Sequence, residues 1–180
     1  MRGTFLLLMI IVAAAATASA QPDPRTTIYK GPVSIAPPCR DADLSVRHVT
    51  EDAAMGGHNT IDYAFKNKSQ SSCTLFGYPR FELMDKSGKV RPRGRAINSR
   101  QLPGEETKQT PQLVTIQPGE EAAFRVYYNS GGAGYMGKPC PVSLKVRIEA
   151  PGTTRRFLLR EQITSCRAAL VSAIRAKLPD

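Results

Sequence analysis

The sequence predicts an all-β protein, an antiparallel β-sandwich held by two disulfides. Three observations support this fold class: apolar and polar residues alternate along several short segments, glycine- and proline-containing turn signals separate the segments, and no long segment has the periodicity of an amphipathic helix. A length of 180 residues with 41% hydrophobic residues suits one globular domain rather than a disordered chain.

Period-two alternation places one face of each segment in a core and the other in water. The turn signals between the segments are Gly56-Gly57, Ser87-Gly88, Pro118-Gly119 and Pro151-Gly152. Outward positions include Arg80, Glu82, Lys145, Arg147 and Glu149. The apolar positions predicted to face the core are Leu44 and Val46; Ile61, Tyr63 and Phe65; Phe81 and Leu83; Ala122, Phe124, Val126 and Tyr128; and Val142, Leu144, Val146 and Ile148.

The C-terminal segment, residues 166–178, has two interpretations. Leu170, Val171, Ile174 and Leu178 fit one face of a helix, whereas residues 169–172 also fit a short final strand. The pattern alone leaves both open.

The first residues of the chain have the order of a secretory signal peptide. Arg2 precedes an apolar run from Phe5 to Ala16, and the small residues Ala18 and Ala20 predict cleavage near Ala20. The apolar run is too short to span a bilayer as a helix. We therefore expect residues 1–20 to be a signal peptide, and the protein to be exported, periplasmic or extracellular, and not integral to a membrane. Residues 21–38 are rich in proline and predict an extended lead, so a single β-sandwich domain is expected over residues 39–180.

An even number of cysteines in an exported chain predicts disulfides rather than free thiols. Of the three possible pairings we favour Cys39–Cys73 and Cys140–Cys166, because each closes a loop within one half of the chain. No close Cys-x-x-Cys pair is present, which argues against zinc. With all four cysteines bridged, no thiolate remains for catalysis.

Several stretches carry a family resemblance. They are Cys39-Arg40-Asp41-Ala42-Asp43-Leu44-Ser45-Val46; Phe65-Lys66-Asn67-Lys68-Ser69; the more specific Cys73-Thr74-Leu75-Phe76-Gly77-Tyr78-Pro79; Leu83-Met84-Asp85 with a turn at Gly88; and Val114-Thr115-Ile116-Gln117-Pro118-Gly119-Glu120-Glu121-Ala122. Together they resemble the bacterial exported family known as domain of unknown function 4232, from Cys39 to about Ile174. The resemblance implies an immunoglobulin-like β-sandwich and fits both predicted bridges. It implies no activity and no functional residues. Because the chain has no Trp, it lacks the core of antibody domains.

Positive charge is concentrated after Gly88 in a chain whose formal net charge is +10. If residues 90–96 are extended, Arg91, Arg93 and Arg95 project from one face at intervals of about 7 Å. Such a row suits an anionic envelope polymer or a membrane surface. The alternative is a solvated edge hairpin whose charges prevent aggregation. The candidate anion-binding residues are Lys89, Arg91, Arg93, Arg95 and Arg100.

A glycine-rich loop over residues 130–138 offers a second candidate surface, with Tyr135 and Met136 as contact residues for a protein partner. His48, His58 and Met55 lack the tight spacing of a metal site, and no Gly-x-Ser-x-Gly nucleophile motif is present. We expect no catalytic residues, no cofactor, no metal and no nucleic-acid partner.

The favoured function is therefore a non-catalytic binding module that contacts an anionic polymer or membrane surface. The alternative is a secreted inhibitor or effector that presents the glycine-rich loop to a protein, and a metal carrier or enzyme comes third.

Overall fold

The computed structural model describes residues 36–131 and 139–176. Two short 3-10 turns lie at Asp41–Asp43 and Met55–Gly57. The strands, in chain order, are β1 (Leu44–Ala54), β2 (His58–Asn67), β3 (Cys73–Phe76), β4 (Arg80–Met84), β5 (Val90–Arg95), β6 (Ile97–Asn98), β7 (Leu113–Ile116), β8 (Glu121–Asn129), β9 (Val142–Ser143), β10 (Lys145–Glu149), β11 (Phe157–Leu159), β12 (Ile163–Thr164) and β13 (Leu170–Val171).

The strands form two main sheets. One sheet has the order β1-β2-β8-β13-β6, and the other has the order β11-β10-β4-β5. Two further sheets have two strands each, β9–β12 and β3–β7, and the strands of the main sheets pair antiparallel except for β13 with β6. The predicted all-β class is confirmed. Within the described ranges, no helix is long and apolar enough to cross a membrane.

Aromatic rings on the inner faces join the two main sheets. Tyr63 and Phe65 on β2 each stack on Phe124 of β8, with ring centroids 5.4 Å apart. Across the sandwich, the Tyr63 centroid lies 5.6 Å from Phe81 of β4, and the Phe65 centroid lies 6.1 Å from Phe157 of β11. Offset and tilted ring pairs of this kind are favourable beyond the area that they bury. The predicted core residues of β2, β4 and β8 are confirmed, because each of them is at most 5% exposed.

The predicted strand over residues 142–148 is wrong in its first half. Val142 and Leu144 are 45% and 44% exposed, whereas Ser143 between them is fully buried. The cause is a change of partner strand near Leu144, because β9 pairs with β12 and β10 pairs with β4. The break inverts the alternation, so the inward positions resume only with Val146 and Ile148.

The last described strand resolves the ambiguity at the C-terminus in favour of the short strand. Leu170 pairs antiparallel with Tyr127 of β8 and parallel with Ile97 of β6. β13 therefore fills the gap between β8 and β6 and completes the five-stranded sheet. Leu178 lies outside the described residues.

Both predicted disulfides are confirmed, with Cα atoms 4.8 Å apart in Cys39–Cys73 and 4.5 Å apart in Cys140–Cys166. The first bridge fixes the start of the domain to β3. The end of the proline-rich lead is also docked there, because the Thr74 amide donates to the Pro37 carbonyl at 2.9 Å. The last described residues of the predicted lead are therefore hydrogen-bonded to β3. The predicted signal peptide and residues 21–35 of the lead lie outside the described residues.

Two buried tyrosines donate hydrogen bonds from their hydroxyls to carboxylates at the edge of the core. Tyr63 donates to Glu161, and Tyr128 donates to Glu51 at 2.6 Å. Burial, reinforced by these carboxylates, raises the pKa of both tyrosines above the usual value for a phenol. The folded state therefore holds both phenols in the neutral form.

This arrangement predicts a loss of stability at alkaline pH. In the unfolded chain the tyrosines ionise near their usual pKa, about 10, whereas in the folded chain they stay protonated. The free energy of unfolding should therefore fall above that pH, by about 1.4 kcal/mol per pH unit for each tyrosine. Urea unfolding of Tyr63→Phe should show a shallower fall between pH 9 and 11 than wild type. Equal slopes would contradict the assignment.

Candidate functional site

The outer face of the four-stranded sheet carries alternating charged residues. Arg80 and Glu82 point outward from β4, and Arg147 and Glu149 point outward from β10. In the register between these strands, Arg147 lies opposite Glu82 and Glu149 lies opposite Arg80. The outward direction follows from the core, because the alternate residues Phe81, Leu83, Val146 and Ile148 are buried.

Glu82 lies between two arginines from neighbouring strands. Arg147 Nε donates to Glu82 Oε2 at 2.6 Å, and Arg95 Nε donates to Glu82 Oε1 at 3.1 Å. The Glu82 side chain is only 2% exposed, whereas that of Arg95 is 79% exposed. A buried carboxylate thus anchors a guanidinium that remains largely in solvent.

Glu149 repeats the arrangement at the end of the same face. Arg156 Nε donates to Glu149 Oε1 at 3.0 Å, and Arg80 Nη1 lies 3.2 Å from Glu149 Oε2. Both arginine side chains are 62% exposed, against 11% for Glu149. We refer to the two trios together as the arginine face: Arg80, Glu82, Arg95, Arg147, Glu149 and Arg156.

Each carboxylate of the arginine face is shared by two guanidiniums, so each trio keeps a net positive charge. A guanidinium has several N–H donors in a fixed plane, and one carboxylate leaves some of them for another acceptor. Because the glutamates hold one edge of each arginine, less side-chain entropy is lost when an anion binds the other edge. The geometry is that of a preorganised anion-binding surface.

A polar hollow of about 370 Å³ opens beside the arginine face. Arg80 and Arg95 line it together with the polar residues Tyr78, Asn98 and Thr153, and with Glu149, whose carboxylate is paired with Arg80. Tyr78, directly after Gly77, is half-buried. The hollow gives the two cations a shared concavity in which an anionic group can approach both.

The row of arginines expected along β5 is not formed. Arg91 is buried, at 8% exposure, and its Nη1 donates to the Pro141 carbonyl at 2.5 Å. Burial lowers the pKa of Arg91. Its guanidinium is therefore bonded inside the protein and is not exposed on the same surface as Arg95.

An irregular register between β4 and β5 explains the loss of alternation. Glu82 pairs with Arg95 and Met84 pairs with Val90, so one residue of β4 faces four residues of β5. Arg93 within this bulge has a φ of 58°, outside the extended region. Gly94 is required there, because a Cβ at this position would lie 2.5 Å from the Leu83 carbonyl oxygen.

The remaining predicted contact residues are scattered. Lys89 is exposed in the β4–β5 turn, and Arg100 is exposed after β6. Of the candidate anion-binding residues, only Arg95 belongs to the arginine face. Tyr135 and Met136 lie outside the described residues, and the binding roles proposed for these residues remain predictions.

The two histidines lie in different hydrogen-bonded pairs. His48 Nδ1 is 3.4 Å from Glu161, and His58 shares a hydrogen bond with Tyr127. Met55 is 96% exposed. Among the described residues, no three His, Cys, Asp or Glu side chains converge as metal ligands.

If Glu82 anchors the two arginines, its loss should cost more stability than the loss of the more exposed Glu121. Glu82→Gln should destabilise the fold by about 1–3 kcal/mol, because a nearly buried carboxylate with two arginine partners is lost. The matched variant Glu121→Gln removes the exposed pair with Arg47 and should cost less than about 1 kcal/mol. Chemical denaturation measures both values. Equal costs would show that Glu82 does not anchor the arginines.

Comparison with known proteins places the chain in a family without giving it an activity. No curated protein matches the chain significantly. One family model does match, and it covers residues 39–176, which include both disulfides and the whole arginine face. The chain therefore belongs to the family described as domain of unknown function 4232.

Proposed function

We propose that the protein is an exported, non-catalytic binding module whose arginine face binds repeated phosphate or carboxylate groups. The observation that carries the proposal is the pair of Arg–Glu–Arg trios beside a polar hollow. Planar guanidiniums with free N–H donors match the oxygens of phosphate and carboxylate groups. Export is supported by the two disulfides, which persist in oxidising compartments.

The spacing of the arginine face favours a polymeric or surface-bound anion over a single small ion. Arg147 and Glu149 are two residues apart on β10, so the Glu82 trio and the Glu149 trio follow one another at about 7 Å along the strand direction. Arg80 and Arg95 open onto the hollow, whereas Arg156 extends the cationic surface beyond it. An anion with repeated charges contacts several of these groups at once, which raises its avidity. The shared chemistry is that of anionic envelope polymers and of anionic lipid headgroups.

The alternative function, an inhibitor or effector that engages a protein through the glycine-rich loop, depends on Tyr135 and Met136. These residues lie outside the described ranges.

The proposal predicts salt-sensitive binding that depends on the hollow. Full-length mature protein should bind sodium polyphosphate in calorimetric titrations, and raising NaCl from about 50 to 500 mM should weaken the binding steeply. The variant Arg80→Gln/Arg95→Gln should bind about tenfold more weakly at low salt, because two charge-assisted contacts are lost. Each glutamate keeps one partner, Arg156 or Arg147, so the fold should be retained.

A matched control removes the same charge at Lys66 on β2 and at Lys68, which directly follows that strand. Lys66→Gln/Lys68→Gln lowers the net charge equally but leaves the arginine face intact, and both lysines are exposed. Its affinity should stay within about twofold of wild type. If the lysine variant loses as much affinity as the arginine variant, binding reflects net charge alone and the proposal fails. Sedimentation with phosphatidylglycerol vesicles then distinguishes a lipid surface from a soluble polymer as the source of the anion.

A further inference from the structure

A second concave site lies on the outer face of the five-stranded sheet. It is a groove of about 600 Å³. Tyr127, Leu170 and Ile97 form its floor, and they follow one another in register across β8, β13 and β6. Ile97 is 57% exposed, so the floor is an apolar surface open to solvent. The volume is within the usual range for small-molecule sites, about 300–1,000 Å³.

One wall of the groove is built from the segment that follows β6. Pro103 lines the groove, and its neighbour Leu102 is 1% exposed. The Leu102 amide donates to Glu105 Oε2 at 2.9 Å. Glu105 in turn pairs with Arg175 at 2.7 Å, and both side chains are only 11% exposed. A buried leucine and a largely buried ion pair therefore hold this wall in place.

Another part of the groove lining is held by a covalent bond. Cys166 and Ala168 belong to it, and Cys166 is joined to Cys140. Cys166 is 7% exposed, and its amide donates to the Asn129 carbonyl at 2.9 Å. Both parts of the lining are therefore fixed by contacts within the protein, as expected of a preformed site.

The polar groups of the groove give it a charge preference. Arg167 is exposed at its edge, and no carboxylate is paired with it in the described part of the chain. The His58 imidazole and the Tyr127 hydroxyl, which share a hydrogen bond, are further polar groups at the floor. A further hollow of about 370 Å³ adjoins at His58, Pro103 and Tyr127 and extends the concave surface toward β1, where Asp52, Ala53, Ala54 and Thr60 line it.

We propose that this groove binds an amphipathic monoanion, with an apolar or aromatic body on Ile97, Tyr127 and Leu170 and a carboxylate or sulfonate beside Arg167. The apolar floor supplies the affinity through burial of ligand surface. The unpaired guanidinium supplies the preference for an anion, because only an anionic head group forms an ion pair with Arg167. The site is separate from the arginine face, which lies on the outer side of the other main sheet.

The test uses the aromatic sulfonate 8-anilinonaphthalene-1-sulfonate as the probe. Its fluorescence should rise saturably with the folded, full-length mature protein. Ile97→Ser and Arg167→Gln should each weaken binding at least about fivefold. Both residues are exposed, so the circular dichroism spectrum and thermal midpoint should remain those of wild type. Absence of saturable binding to wild type would overturn the proposal.

Matched controls remove one apolar and one cationic side chain elsewhere. Leu113→Ser on β7 changes a side chain that is 53% exposed, and Arg160→Gln changes an exposed cation near β11. Both should bind the probe within about twofold of wild type. If either control weakens binding as much as the groove variants do, the probe binds exposed apolar or cationic side chains in general, and the proposal is wrong.

Competition then tests the charge of the ligand. Octanoate should displace the probe at a lower concentration than octanol or octylamine, which carry the same chain with a neutral or cationic head. The advantage of octanoate should disappear in Arg167→Gln. Equal displacement by octanoate and octylamine in wild type would contradict a monoanion site. The polyphosphate affinity should be unchanged in the groove variants, so failure here is distinguishable from failure of the arginine face.

Discussion

The packing of aromatic rings between the two main sheets is the constraint on which the outer surfaces depend. Tyr63 and Phe65 on β2 contact Phe124 within their own sheet and Phe81 and Phe157 in the other. Since side chains alternate along a strand, burial of these rings decides which residues of β2, β4, β8 and β11 point outward. A shift of register by one residue would send the charged residues of β4 into the core, at a cost far above the stability of a domain of this size.

The charges on the outside follow from that core. Phe81 fixes the inner face of β4 and Ile148 fixes that of β10, so Glu82 and Glu149 both emerge between neighbouring arginines. The antiparallel register then places each glutamate within reach of a guanidinium from the next strand. The sheet thereby determines the spacing of the cations, while the glutamates determine the orientation of each one. The paired carboxylates distinguish the arginine face from the exposed Lys66 and Lys68.

Much of this fold could be predicted from the sequence, because alternation, turn glycines and cysteine pairing are local or nearly local signals. The outward positions of Arg80, Glu82, Arg147 and Glu149 were among the predictions. Their meeting on one face was not, because β4 and β10 are paired across 65 residues and no local pattern states which strands are neighbours. The site could have been predicted by assuming that the two strands with these outward charges are neighbours in one sheet.

Irregular backbone accounts for the errors. The density of arginines in residues 91–95 predicted a row, but the bulge around Gly94 sends Arg91 inward and leaves only Arg95 on the arginine face. The glycine was the available signal, since glycine within a strand often marks a bulge. The break at Leu144 had no comparable signal, because it depends on the change of partner from β12 to β4. Both errors arise where tertiary pairing overrides the local alternation.

The most direct test of the arginine face is a map of where a small polyanion contacts the folded protein. Backbone amide shifts of ¹⁵N-labelled protein would be followed while tripolyphosphate is added. The account predicts saturable shifts concentrated at the residues that line the polar hollow, Arg80, Arg95, Asn98 and Thr153, with little change around Lys66 and Lys68. Shifts centred on the lysines, or spread evenly over all exposed cations, would contradict it.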